Sequence, residues 1–304
     1  KYGVDILRLW VVASDYYDDL KLDNSILQAQ TDSYRRIRNT FRYLIGNLKE
    51  FNQEEKIEIK EFPELEKYIL HRLWEINKIV NECIKDFNFH LMFITLLNFC
   101  SNDLSSFYFD IRKDTIYCDD YNSIKRKSSR TLLDTLFNYI VRWLAPSLVF
   151  TTEEAWKARG NSSSIHLEEF LKADKIFQDD SLSKKWELTK NIRKVVTGAL
   201  EKKRSEKLIG SSLEAHIDIY LKNNILEIVR DIDLAEICIT SSFSILLIDD
   251  DIDAFNIQEI GDIKVKVSKA KGNKCNRCWK VLEEINEKKE ICKRCEKIIE
   301  TNKL

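Results

Sequence analysis

The sequence predicts a mainly α chain: an antiparallel helix bundle, followed by a small α+β unit and a compact cysteine-bearing module. Three observations carry that expectation. Apolar residues recur at three- and four-residue spacing from Asp23 to about residue 160. Only seven Gly and two Pro interrupt 304 residues, so long regular elements should dominate. Four of the eight cysteines are gathered in CNRCWKVLEEINEKKEICKRC at 275–295, whereas Cys83, Cys100, Cys118 and Cys238 stand singly.

The elements follow in order. The opening KYGVDILRLW reads as helix, and the acids beyond it interrupt the apolar segment that an export signal needs. A start inside a helix, without Met, predicts a fragment. From Asp23, residues Leu27, Tyr34, Ile37, Phe41, Leu44 and Leu48 line one face of a long amphipathic helix. Its other side gathers Arg35, Arg38, Asn39 and Arg42 in one stripe. A second helix is expected from Pro63, which suits a first helical turn, with Leu65, Ile69, Leu73, Ile76, Val80 and Ile84 inward. A third covers roughly 90–113, and a fourth runs from near Ser123 until Pro146 breaks it. Thr151 and Glu154 of TTEE then offer a capping box for further helix. The loop-like GNSSSIHLEEF at 160–170 ends this bundle, which occupies 21–160 behind a connecting segment 1–20.

Beyond the loop, SKKWELTKNIRKVVTGALEKKRSEKL predicts one more helix, and Gly210 breaks it. LEAHIDIYL alternates as a strand, EICIT and SILLI also read as strands, and IKVKVS at 263–268 alternates apolar with basic residues. These segments define an α+β unit over 180–268, which joins the bundle to the cysteine module at 269–304.

Composition excludes several classes. Hydrophobic residues at 44% and charged residues at 33% suit a soluble globular protein rather than a disordered or fibrous one. The most apolar stretch, LMFITLLNFC at 91–100, is about half the length that spans a bilayer, so no membrane partner is expected. Isolated cysteines far apart predict reduced thiols and a cytoplasmic location. The net charge is −1, but Lys264–Leu304 holds thirteen Lys or Arg against six Glu, a net of +7, behind the acidic DDDIDAFNIQEIGD at 249–262. A basic terminus of this kind suggests an anionic partner.

The strongest chemical signal is Cys275, Cys278, Cys292 and Cys295. Two C-x-x-C pairs separated by thirteen residues form two knuckles, and together these present four thiolates to one ion in a tetrahedron. One structural zinc is expected; a rubredoxin-like iron site has the same ligands, and unrelated free thiols are the plain alternative. The tail has few large apolar residues, chiefly Trp279, Val281, Leu282 and Ile291. Ligation must therefore supply its stability, on the order of 10 kcal/mol. A closed four-thiolate shell leaves no position for a reacting water, so the metal is not catalytic. Trp279 has two readings: it packs over the knuckle, or it stacks on an unpaired base amid Lys274, Arg277, Lys280, Lys293 and Arg294. The Arg35, Arg38, Arg42 stripe is either a solvated face or a phosphate contact. His71, His90, His166 and His216 are scattered, without the spacing of a catalytic group.

KYGVDILRLWVVASDY, SYRRIRNTFRYLIGNL, FNFHLMFITLLNFCSNDLSSFYFDIRKD, RWLAPSLVFTTEEAW, EKLIGSSLEA and CNRCW with CKRC resemble the C-terminal third of class I aminoacyl-tRNA synthetases, over nearly the whole chain and in the same order. IGSSLEA together with a terminal four-cysteine module resembles the isoleucyl family rather than the valyl, leucyl or methionyl ones. The resemblance implies that 1–20 leaves a catalytic domain, that the bundle receives the anticodon stem and loop of tRNA, and that the tail closes over the anticodon. Arg35, Arg38, Arg42, Arg277, Trp279 and Lys280 are the corresponding RNA-contact candidates. It also implies an ATP-dependent ligase, monomeric at full length, that joins isoleucine to its tRNA. The ATP, adenylation and editing sites belong to a missing portion: no H-x-G-H-like or K-M-S-K-S-like motif is present, and the one Met is Met92. No catalytic residue is assigned. The alternative is a free-standing zinc-containing module that binds RNA or another partner.

Overall fold

The second helix starts where the sequence supplies a cap. In the computed structural model, which describes residues 2–16, 19–20, 23–248, 252–286 and 289–301, Asp23 accepts from the Ile26 amide and opens the second helix. Lys1, the acidic triplet Asp249–Asp251, and Glu287, Lys288 and Lys303 of the basic tail lie outside the described residues. Helices α1 (Val4–Ala13), α2 (Asn24–Asn47), α3 (Glu64–Lys85) and α4 (Phe89–Asn98) follow in turn, with Pro63 before α3 and the Asn88 side chain capping α4. After α4 come α5 (Asp110–Cys118), α6 (Ile124–Leu144), capped by Ser123, and α7 (Val149–Ala158). The described residues form two compact units: Lys1–Arg112 with Asn122–Asp179, and Lys113–Tyr121 with Asp180–Leu304.

Two expectations for the first unit change. The third helix is helical from Phe89 to Cys118 but changes pitch, with an eleven-residue π-helical run over Phe99–Phe109 between α4 and α5. The wider turn is held by the hydroxyls of Ser105 and Ser106, which donate to the carbonyls of Cys100 and Ser101 at 2.8 and 2.9 Å. Phe107, Tyr108 and Phe109 at its end are all buried. The Thr151–Glu154 capping box does not form. Asp5 of α1 takes over that cap, accepting from the Thr151 amide at 2.8 Å and the Thr151 hydroxyl at 2.6 Å. Arg8, one turn later, donates to the carbonyls of Pro146 and Ser147 at 2.6 and 3.0 Å, so α1 secures the turn that Pro146 forces between α6 and α7.

The interior of this unit contains an ion pair. Glu66 of α3 is fully buried and accepts from Arg112 Nε and Nη2 at 2.6 and 2.7 Å, from Tyr108 at 3.0 Å and from Ser129 of α6 at 3.1 Å. Every donor that this carboxylate needs is supplied from a different segment.

In the second unit, α8 (Asp180–Ser205) lies against a three-stranded sheet of order β2–β1–β3. Strand β1 (Ala215–Leu221) is central; α9 (Asn223–Val229) and α10 (Leu234–Cys238) form the crossover to its parallel neighbour β2 (Ser242–Leu247), and β3 (Ile263–Lys269) is antiparallel to β1. Ala215, Ile217, Ile219 and Leu221 are buried, while His216, Asp218 and Tyr220 alternate on the other face. EICIT is therefore not a strand: its first three residues are the end of α10, which Asp233 caps and Ile239 closes in the left-handed region at φ 57°. A short apolar run buried on all sides has no period to tell helix from strand. No helix among the described residues is long and apolar enough to cross a membrane.

Glu66→Ala should cost about 3–5 kcal/mol, because it strands Arg112 in the interior without a counter-charge. Urea unfolding checks this, and Glu66→Gln, which keeps acceptor oxygen in place, should cost less.

Candidate metal centre and nucleic-acid interface

The second unit ends in a module built from β4 (Asn273–Lys274), β5 (Val281–Leu282) and α11 (Lys293–Thr301). The first C-x-x-C pair lies on the loop between the two strands, and the second runs into α11. The Sγ atoms of Cys275, Cys278, Cys292 and Cys295 all lie within 4.8 Å of one another and are buried. Cys278 and Cys292 Sγ are 3.8 Å apart, which is the edge of a tetrahedron whose centre-to-sulfur distance is about 2.3 Å. The first knuckle is closed by the Cys275 amide donating to the Lys280 carbonyl at 2.8 Å and the Trp279 amide donating to the Cys275 carbonyl at 2.9 Å.

The protonation balance favours a cation. Burial raises the Cys275 thiol, but hydrogen bonds from the backbone of Cys278, Cys292 and Arg277 outweigh it and bring it down to about 6. Cys278 and Cys292 are pushed up, first by burial and further by the neighbouring sulfurs. One thiolate is thus favoured and its neighbours are opposed, an imbalance that a divalent ion removes. The donor set fits one structural zinc. Around it, among the described residues, the module buries Ile285 and Ile298 as its large aliphatic side chains, with Cys118, Leu282 and Ile291 packed against the cysteines.

Several of the charges around the cluster are committed to the unit itself. Arg294 grips Asp114 with both nitrogens at 2.7 and 2.9 Å, and that fork raises its pKa. Arg277 turns inward, its Nη1 donating to the Cys118 carbonyl at 2.6 Å. Lys280 is half-buried, and Lys293 lies 3.8 Å from Glu284. Trp279, by contrast, is 60% exposed and sits at φ 66°, a left-handed conformation that costs a bulky residue roughly 1 kcal/mol or more. Lys274 Nζ stands 5.4 Å from its ring centroid. The indole is held outward by the knuckle and is not buried over the metal.

In the first unit, α2 presents the arginine stripe. Arg35 pairs with Asp32 at 3.2 Å within its own helix. Arg38 makes a fork with Glu154 of α7 at 2.9 and 3.0 Å and also donates to Tyr34. Arg42 is exposed and makes no ion pair among the described residues. Between α2 and α7 runs an open groove of about 550 Å³, lined by Arg38, Asn39, Arg42, Gly46, Ala155 and Ala158 among others. Sequence reasoning grouped the arginines but missed Glu154, because the partners lie 116 positions apart. Each histidine has a structural partner: the Asp179 amide for His71, the Ala13 carbonyl for His90, the Val149 carbonyl for His166 and Ser242 for His216.

Residues 66–219, just over half of the chain, match the anticodon-binding domain of tRNA ligase, and residues 272–298 match the zinc finger found in FPG and IleRS. The chain is 48% identical over 285 residues to the isoleucine–tRNA ligase of Pelagibacter ubique strain HTCC1062, covering 92% of this chain and 30% of that protein. It is 44% identical over 286 residues to that of Bartonella henselae, covering 93% of this chain and 29% of the relative. With that of Zymomonas mobilis the identity is 38% over 303 residues, 98% of this chain and 31% of the relative. The chain thus spans about 30% of the length of these curated relatives.

Metal analysis should return one zinc per chain, and Cys292→Ser with Cys295→Ser should abolish tight binding. A strong chelator should unfold residues 273–298 while leaving the Glu66 core protected from hydrogen exchange.

Proposed function

We propose, since this chain belongs to the family of anticodon-binding domains of tRNA ligases, that it is the tRNA-reading end of an isoleucine–tRNA ligase and holds the anticodon arm of tRNA(Ile). The observation that carries this reading is Trp279, a large aromatic left in solvent on a metal-braced knuckle in an unfavourable backbone conformation. The knuckle sets the backbone angle, and the ring it projects stays 60% exposed. An unpaired base offers a flat face to such a ring, and single-stranded RNA is commonly recognised by stacking of this kind.

The parts divide the work by chemistry. Zinc bound by Cys275, Cys278, Cys292 and Cys295 supplies rigidity, and no reaction passes through it. Trp279 stacks on a base of the loop, while Lys274 and Lys280 attract the phosphates beside it. Arg277 braces the knuckle from within, consistent with its bond to Cys118. Along α2, Arg42 offers a charge to the backbone, while Arg38 is shaped by Glu154 and Arg35 is partly neutralised by Asp32. Isoleucine activation, editing and ATP binding belong, on this reading, to the remaining length of the ligase, which acts as a monomer in the cytoplasm.

Trp279→Ala should leave zinc bound and weaken affinity for the tRNA(Ile) anticodon stem-loop by about 1–3 kcal/mol, with Trp279→Phe retaining part of it. Unchanged affinity with zinc intact would remove Trp279 from the interface. Arg42→Gln should flatten the salt dependence of binding by about one unit of slope, and Arg38→Gln by less, because Arg38 brings its own counter-charge. Binding titrations across a series of salt concentrations measure both.

A further inference from the structure

The outer face of the sheet in the second unit carries a row of hydrogen-bonding side chains that anticodon reading leaves without a task. The strand register sets His216 beside Ser242 of β2 and also beside Ser268 of β3. The imidazole is fixed in place: Nδ1 is 2.8 Å from Ser242 Oγ, and Nε2 is 3.2 Å from Asp218 and 3.3 Å from Ser244. Lys269 and Lys271 continue past Ser268, both exposed and neither in an ion pair among the described residues. Opposite them, Val281, Leu282 and Glu283 of the metal module complete an open cavity of about 360 Å³.

Two contacts fix this wall. The Val281 amide donates to Ser241 Oγ at 2.7 Å, just before β2. Gly272, at φ 105°, passes so close to β5 that a Cβ there would lie 2.2 Å from the Leu282 carbonyl. The cavity is therefore a built feature whose far side is set by the metal-braced ribbon.

We propose that this cavity binds a phosphodiester of the RNA backbone, giving the anticodon arm a second anchor away from Trp279; the proposal rests on the function inferred above. The chemistry selects the ligand. Among the residues that line it, Lys269 and Lys271 face one acid, Glu283, and the nearby Asp218 is engaged by His216 at 3.2 Å. The surplus is one positive charge, matching the single negative charge of a phosphodiester. The serine hydroxyls can donate to its non-bridging oxygens, and the lysines act as point charges. Free inorganic phosphate shares this chemistry, so the experiment must separate the two sources.

The test uses the zinc-loaded chain and a labelled tRNA(Ile) anticodon stem-loop over a range of salt. Lys269→Gln with Lys271→Gln should weaken binding about five- to tenfold and lower the salt slope by about one unit, with zinc content unchanged. Glu283→Gln should tighten binding about twofold, a gain that a merely structural role would not produce. If the wild-type chain binds the stem-loop while both variants match it in affinity and slope, the cavity is not an RNA site and the anticodon reading stands. If the wild type does not bind the stem-loop, the anticodon reading itself fails. The free-phosphate source is tested by NMR of the His216 ring. Saturation by inorganic phosphate without competition against RNA would overturn the RNA assignment, whereas phosphate that displaces the stem-loop from the wild type more readily than from the lysine variant supports it.

Discussion

The second unit depends on drawing four thiolates around one ion. Its terminal module buries too little aliphatic surface to fold by hydrophobic burial: Ile285 and Ile298 are its large buried aliphatic side chains. Burial and the neighbouring sulfurs oppose ionisation of Cys278 and Cys292, while backbone hydrogen bonds favour it at Cys275. The first knuckle is closed by backbone hydrogen bonds, and it holds Trp279 in its left-handed conformation, pointing outward. The same closure sets β4 and β5, and through Val281 and Gly272 it sets the wall beside the sheet. Metal ligation is thus converted into the placement of an aromatic ring and, we infer, of a phosphate cavity.

The first unit uses a different constraint for the same end. There, buried polar side chains fix helix ends against one another. Asp5 caps α7 and Arg8 grips the turn before it, so the position of α1 governs where α7 begins. Glu154 of α7 then fixes Arg38 of α2, which leaves Arg42 as the member of the stripe with no ion pair among the described residues. The Glu66–Arg112 pair ties α3 to the first turn of α5 within the same unit.

What could be read from the sequence follows the same division. The amphipathic period of α2, the proline before α3, the serine before α6 and the paired cysteines are local signals, and each was legible. The cap supplied by Asp5 was not, because its partner lies 146 residues away and the local TTEE pattern offered a sufficient explanation by itself. The π-helical run was hidden because a 3.6-residue period passes through it with little disturbance. EICIT was misread because five residues of mostly apolar sequence fit either element. At the site, the ligands were plain from spacing, whereas the inward turn of Arg277 and the outward turn of Trp279 depend on backbone angles that composition does not encode.

Hydrogen exchange on the zinc-loaded chain, with and without the tRNA(Ile) anticodon stem-loop, tests the central claim most directly. The account predicts that RNA slows exchange in residues 273–282 around Trp279 and in the exposed part of α2 around Arg42, while the Glu66 core is unchanged. Exchange that is the same in both states at these two segments, at RNA concentrations that saturate binding, would contradict it.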